Sequence, residues 1–134
     1  MKNTYNYYQK LKKPSWAPPA YLFGPVWAFL YILIIISFGT VFLMVTRGEV
    51  ASIIALPFIL NLIFNLSFTY FQFKLKNNLL AAIDVLLVLI TLVWAMSAIA
   101  PYSNWITYAN IPYLLWVSFA TILQLTVTVL NRRI

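Results

Sequence analysis

The side chains that most often carry chemistry are scarce in this chain. Histidine and cysteine are absent, which removes the common general base, the thiol nucleophile and the usual zinc ligands. Two carboxylates remain, Glu49 and Asp84. They lie on different segments, expected at opposite membrane faces, and cannot act as an acid–base pair. Hydrolase and metalloenzyme chemistry therefore fail on inventory. No metal site and no bound cofactor are expected, and without cysteine there is no disulfide framework.

Polar and aromatic residues inside apolar stretches say more. Asn61, Asn65, Phe68 and Gln72 recur at helical spacing, with Thr69 beside them, and so share one face. Tyr113, Trp116, Ala120 and Gln124 repeat in the same way. A first segment offers Trp27, Tyr31 and Phe38, and a third offers Asp84, Thr91 and Trp94. Polar side chains in a membrane helix usually turn towards the bundle interior. Four such faces would enclose a pocket with aromatic walls and a few amides, suited to a flat, amphipathic ligand. The competing role for Asn and Gln is to join helices, at about 0.6 kcal/mol per contact. It weighs as much as ligand contact for Asn61 and Gln124. Asn65 and Gln72, on either side of Phe68, are assigned to the pocket. A carboxylate at mid-membrane costs about 2.5–3.5 kcal/mol. For Asp84 the expected role is structural pairing with the helix dipole and Lys74 or Lys76, with ligand contact second.

These faces need long helices to position them. The chain has 134 residues, 63% hydrophobic and 8% charged, against roughly 25% charged in a soluble domain. Four apolar runs, about 21–45, 52–73, 79–100 and 108–130, each suffice to cross about 30 Å of hydrocarbon. They are continuous rather than alternating, which favours helices over barrel strands. Thr46-Arg47-Gly48-Glu49, Lys74-Leu75-Lys76-Asn77-Asn78 and Pro101-Tyr102-Ser103-Asn104 separate them. Pro25 and Pro112 fit first turns, and Pro57 starts or kinks the second helix. The reading is a single domain over residues 1–134, an all-α integral membrane bundle of four helices.

Charge sets the orientation. Lys2, Lys10, Lys12 and Lys13 precede the first helix, Lys74 and Lys76 fill the second loop, and Arg132 and Arg133 end the chain. With four crossings these share one side and only Arg47 lies on the other. The positive-inside rule then puts both termini in the cytoplasm, in a bacterial cytoplasmic membrane. The basic clusters flank apolar runs, so the net charge of +7 speaks for topology and against a nucleic-acid partner. The first twenty residues lack the apolar stretch and small-residue site of a cleaved signal. They form a basic, aromatic arm stiffened by Pro14, Pro18 and Pro19. The arm rests on anionic headgroups or folds over a pocket mouth.

Lys-Pro-Ser-Trp-Ala-Pro-Pro at 13–19, Phe-Gly-Pro-Val-Trp at 23–27 and Tyr31 resemble the TspO/translocator-protein family. This family includes the tryptophan-rich sensory proteins and the peripheral-type benzodiazepine receptor. The resemblance continues through Phe64-Asn65, Tyr70-Phe71-Gln72-Phe73, Asp84 to Val88 and Pro112 to Ala120. It implies a five-helix fold, here represented by helices two to five, because the family has one more helix ahead of the arm. It also implies a homodimer and an intramembrane site for porphyrins such as protoporphyrin IX, for sensing, transport or disposal. The site residues it implies are Tyr8, Pro18, Trp27, Tyr31, Asn65, Phe68, Gln72, Trp116 and Ala120. Light-dependent porphyrin breakdown involving Trp27 and Trp116 is the enzyme-like alternative, and a structural subunit of a membrane complex is another. The C-terminal segment Val127 to Arg133 lacks the central tyrosine of the proposed cholesterol motif. With only Met or Tyr as axial ligands, a metal-free porphyrin fits better than ligated haem.

Overall fold

Each apolar run folds into a helix, and the breaks fall where backbone chemistry requires them. The computed structural model describes residues 15–16, 20–71, 75 and 77–130, and the regular structure in them is entirely helical. A short 3-10 turn, Ala20–Leu22, leads into α1, Phe23–Thr46. After a second 3-10 turn, Ser52–Ile54, come α2, Ala55–Thr69, and α3, Asn78–Ile99. A short α4, Asn104–Ala109, precedes α5, Ile111–Leu130.

Helix α1 ends at Gly48, whose φ of 74° lies in the left-handed region. The Gly48 amide bonds the Val45 carbonyl at 3.1 Å and the Glu49 amide bonds that of Met44 at 2.8 Å. This pair of bonds is the Schellman arrangement that satisfies a helix's last carbonyls, and glycine adopts it without a Cβ penalty. Pro57 sits in the first turn of α2, where its missing N–H costs no helical bond. The helical path continues through Tyr70 and Phe71 in π-type geometry, so the stretch from Ser52 onward reaches the roughly 20 residues of a span. Asn77 caps α3 by accepting the Leu80 amide at 3.0 Å.

The last segment differs from the sequence expectation. Helical structure begins at Asn104, before position 108, with Ser103 as its cap, its hydroxyl accepting the Ile106 amide at 3.5 Å. Asn110 then interrupts it, because Pro112 offers no N–H and its ring crowds the carbonyl one turn back. α1, α3 and the 104–130 stretch are each long and apolar enough to cross a membrane.

The short connectors make sequential helices antiparallel neighbours. α3 lies centrally and packs closely on both α2 and α5. Ala81, Ala82 and Ala95 are buried along it, and such small residues let helix backbones approach. α1 stands further off and meets the others through large side chains. Phe38 packs edge-on against Phe58 at 4.8 Å between ring centroids, with Leu30, Ile34 and Val41 buried around them. Its outer face carries Phe29, Ile32, Ile35 and Ile36, all exposed. A helix apolar on both faces belongs in a protein core or in lipid, and here one side faces the bundle while the other meets no other described residue closely enough to bury it.

Candidate ligand-binding site

Five interior polar residues form one continuous hydrogen-bonded chain across all four long helices. Tyr31 Oη on α1 donates to Asn65 Oδ1 on α2 at 2.7 Å. Asn65 Nδ2 donates to Tyr113 Oη on α5 at 2.7 Å. Tyr113 Oη in turn donates to Asn61 Oδ1 at 2.8 Å. Asn61 Nδ2 donates to the Val88 carbonyl at 2.9 Å and to Thr91 Oγ1 at 3.2 Å, both on α3. All the donors point one way along the chain, and both amides have their polar atoms engaged. Asn61, Asn65, Thr91 and Tyr113 are buried, and Tyr31 is half-buried at the open end. Unpaired polar groups in hydrocarbon are costly, so this chain fixes the relative rotation of the four helices.

Aromatic rings flank it. Trp27 packs 5.5 Å from the Tyr31 ring and 6.4 Å, edge-on, from that of Tyr113. The structure thus brings together Trp27, Tyr31 and Asn65 of the residues expected from sequence. Phe68, half-buried, and Ala120 pack against the same core. Tyr8, Pro18 and Gln72 lie outside the described residues, as do Lys74 and Lys76, the expected partners of Asp84. Trp94 does not turn inward; it is 44% exposed. Gln124 joins helices: its Nε2 donates to the Asn78 carbonyl at 3.3 Å and to Thr128 Oγ1 at 3.2 Å. A second polar cluster, not expected from sequence, ties α1 to the 104–110 stretch. There Asn110 Nδ2 donates to Ser37 Oγ at 3.1 Å and to the Ile106 carbonyl at 2.9 Å.

Trp116 occupies a different wall. With Val26, Phe29, Leu30, Pro112, Leu115 and Phe119 it lines an apolar groove of about 450 Å³ between α1 and α5. Phe23 packs edge-on against the Trp116 ring at 5.9 Å, and Phe119 lies 5.6 Å from it. Trp16 closes on Phe119 from beyond the helix end at 5.8 Å. Trp116 Nε1 is buried with no hydrogen-bond partner among the described residues. A buried donor left unpaired is unusual in a native structure and invites an acceptor.

A helical bundle with lipid-facing apolar surfaces, an interior polar chain and an aromatic groove is an integral membrane protein. The chain belongs to the TspO/MBR family, whose model matches residues 1–130. It is 41% identical over 103 residues to the tryptophan-rich protein TspO of Bacillus cereus, covering 75% of this chain and 66% of that protein. It is 37% identical over 125 residues to the uncharacterized membrane protein YtaB of Bacillus subtilis, covering 93% and 80% respectively. The tryptophan-rich protein TspO of Chlorobaculum tepidum is 34% identical over 115 residues, covering 78% of this chain and 73% of that one.

Proposed function

We propose that this protein binds a tetrapyrrole of the porphyrin type within the membrane, for sensing, transport or disposal. The observation that carries the reading is the aromatic groove lined by Trp116, whose buried indole N–H has no hydrogen-bond partner among the described residues. Such a surface suits a ligand whose body is flat and apolar and whose edge bears an anionic acceptor, as a porphyrin propionate does. Trp116 lines the groove itself, Trp27, Tyr31, Asn65, Phe68 and Ala120 contribute from the bundle core, and Tyr8, Pro18 and Gln72 complete the proposed site. Asn65 acts through the polar chain rather than by direct donation, because both of its amide atoms already have partners. The whole chain acts as one membrane domain, both termini lie in the cytoplasm of a bacterial cell, and the protein works as a homodimer.

The test is a quenching titration of the five tryptophans with protoporphyrin IX in detergent, alongside a tryptophan ester dissolved in the same micelles. Saturable quenching of the protein at concentrations where the ester responds linearly is the expected result. Quenching that tracks the ester throughout would remove the proposed function.

A further inference from the structure

The exposed tryptophan and tyrosine rings gather at two levels of the bundle. The interior polar chain gives the reference layer, because it ties Tyr31, Asn65, Tyr113 and Val88 of the four long helices together. On one side of that layer Tyr21 lies about 15 Å before Tyr31 along α1. Tyr70 lies about 8 Å past Asn65 on the antiparallel α2. Trp16 joins them by packing on Phe119, which is about 9 Å past Tyr113 on α5.

The other level is built in the same way. Trp94 lies about 9 Å past Val88 on α3, and the Tyr102 amide bonds the Ile99 carbonyl in the last turn of that helix. Tyr108 stands just before Asn110, which is held by Ser37 about 9 Å past Tyr31. Trp105 falls between Tyr102 and Tyr108. All of these tryptophans and tyrosines are between 44% and 66% exposed. Nearer the polar chain the exposed large side chains are Phe29 and aliphatic residues such as Ile32, Ile35, Ile63, Ile90 and Leu115. Amphipathic rings settle where membrane meets water, and the band they flank is comparable to the about 30 Å of bilayer hydrocarbon.

The groove between α1 and α5 lies inside this band. Its residues run from Val26 to Leu30 on α1 and from Pro112 to Phe119 on α5, so it extends from the polar chain towards the level of Trp16 and Tyr21. Its rims, Phe29 and Leu115, are 55% and 65% exposed, and apart from the Trp116 indole its lining is wholly apolar.

We propose that phospholipid headgroups meet the protein at the two aromatic levels, and that the groove opens sideways into the hydrocarbon between them. There it holds an acyl chain from the leaflet nearer Tyr21, and an apolar guest enters by exchanging with that chain. This goes beyond the proposed function, because it concerns how the groove is filled and reached, whatever the guest.

The experiment uses the full chain in nanodiscs, which leave both membrane faces open to solvent. One variant keeps Trp116 as its sole tryptophan and another keeps Trp105, the remaining four being replaced by Phe in each. Emission is compared in ordinary phosphatidylcholine and in phosphatidylcholine brominated halfway along its acyl chains, then with iodide added to the water. Bromine quenches indoles on contact, whereas iodide stays in the aqueous phase. Trp116 should lose most of its emission in brominated lipid and none to iodide; Trp105 should be quenched by iodide. Iodide quenching of Trp116 would mean a groove open to water. Protection from both quenchers would mean another protein segment or a second copy across it. Either result overturns the inference, as does a Trp105 that iodide cannot reach. If the variant keeping Trp116 does not fold, the difference between wild type and Trp116→Phe in the same nanodiscs gives the same readout. Porphyrin is absent throughout, so the saturable quenching expected of the proposed function stands or falls separately.

Discussion

Replacing Tyr113 by Phe removes one oxygen from the middle of the interior polar chain and leaves every ring contact in place. The Tyr113 ring is fully buried and packs edge-on near Trp27 and 6.5 Å from Phe38; Phe fills the same volume, so no cavity opens. Two hydrogen bonds are lost, the one received from Asn65 and the one given to Asn61. Interhelical bonds in membranes average about 0.6 kcal/mol and reach about 1.7, so the expected loss is about 1–3 kcal/mol. The upper part of this range is expected, because the orphaned Asn65 amide and Asn61 carbonyl have no water to turn to. Tyr31→Phe removes one bond, at the half-buried end of the chain, and should cost about half as much. The assay is reversible unfolding in mixed micelles, followed by far-ultraviolet circular dichroism for the two variants and wild type. A Tyr113→Phe protein as stable as wild type, or no less stable than Tyr31→Phe, would refute the view that this chain holds the bundle together.

Three other outcomes follow. Gly48→Ala should destabilise by about 1–2 kcal/mol in the same assay; a Cβ there meets no atom within 4 Å, so the cost is the left-handed backbone alone, and a neutral result would deny that conformation. Asn77→Ala should cost about 1 kcal/mol through loss of the α3 cap, while Asn77→Asp should restore most of it. Under illumination, protoporphyrin IX bound to the protein should fade no faster than in bare detergent, since binding alone is proposed; fading that slows when Trp27 and Trp116 are replaced by Phe would instead favour the photochemical alternative.

Much of this arrangement was legible in the sequence, for definite reasons. Lipid demands long uninterrupted apolar runs, so the helices declared themselves by length, and Gly48 marked a helix end by its type. The inward faces of α2 and α5 followed from the periodicity of Asn61, Asn65 and Tyr113. What spacing could not supply was the rotation of one helix against another. The spacing placed Asn65 on the inward face, but did not show the bonds by which its amide joins Tyr31 to Tyr113. Trp94 illustrates the limit of short-range spacing. It follows Thr91 by three residues, yet at about 100° per residue it lies about 80° from Asp84, towards the outside of α3. The early start of the last helix was missed because the Ser103 cap was read as part of a loop. The groove beside Trp116 depends on how far α1 stands from α5, a spacing set by the side chains of other helices.

The most direct test of the central claim is the stoichiometry and affinity of protoporphyrin IX binding in lipid nanodiscs, for wild type and Trp116→Phe. Wild type should take up one pigment per chain and saturate. Removing the indole N–H from the groove wall should weaken binding by about tenfold, as expected for losing a bond to a charged acceptor. Uptake proportional to added pigment, the same for both proteins, would mean that the porphyrin dissolves in the lipid and that the groove does not hold it.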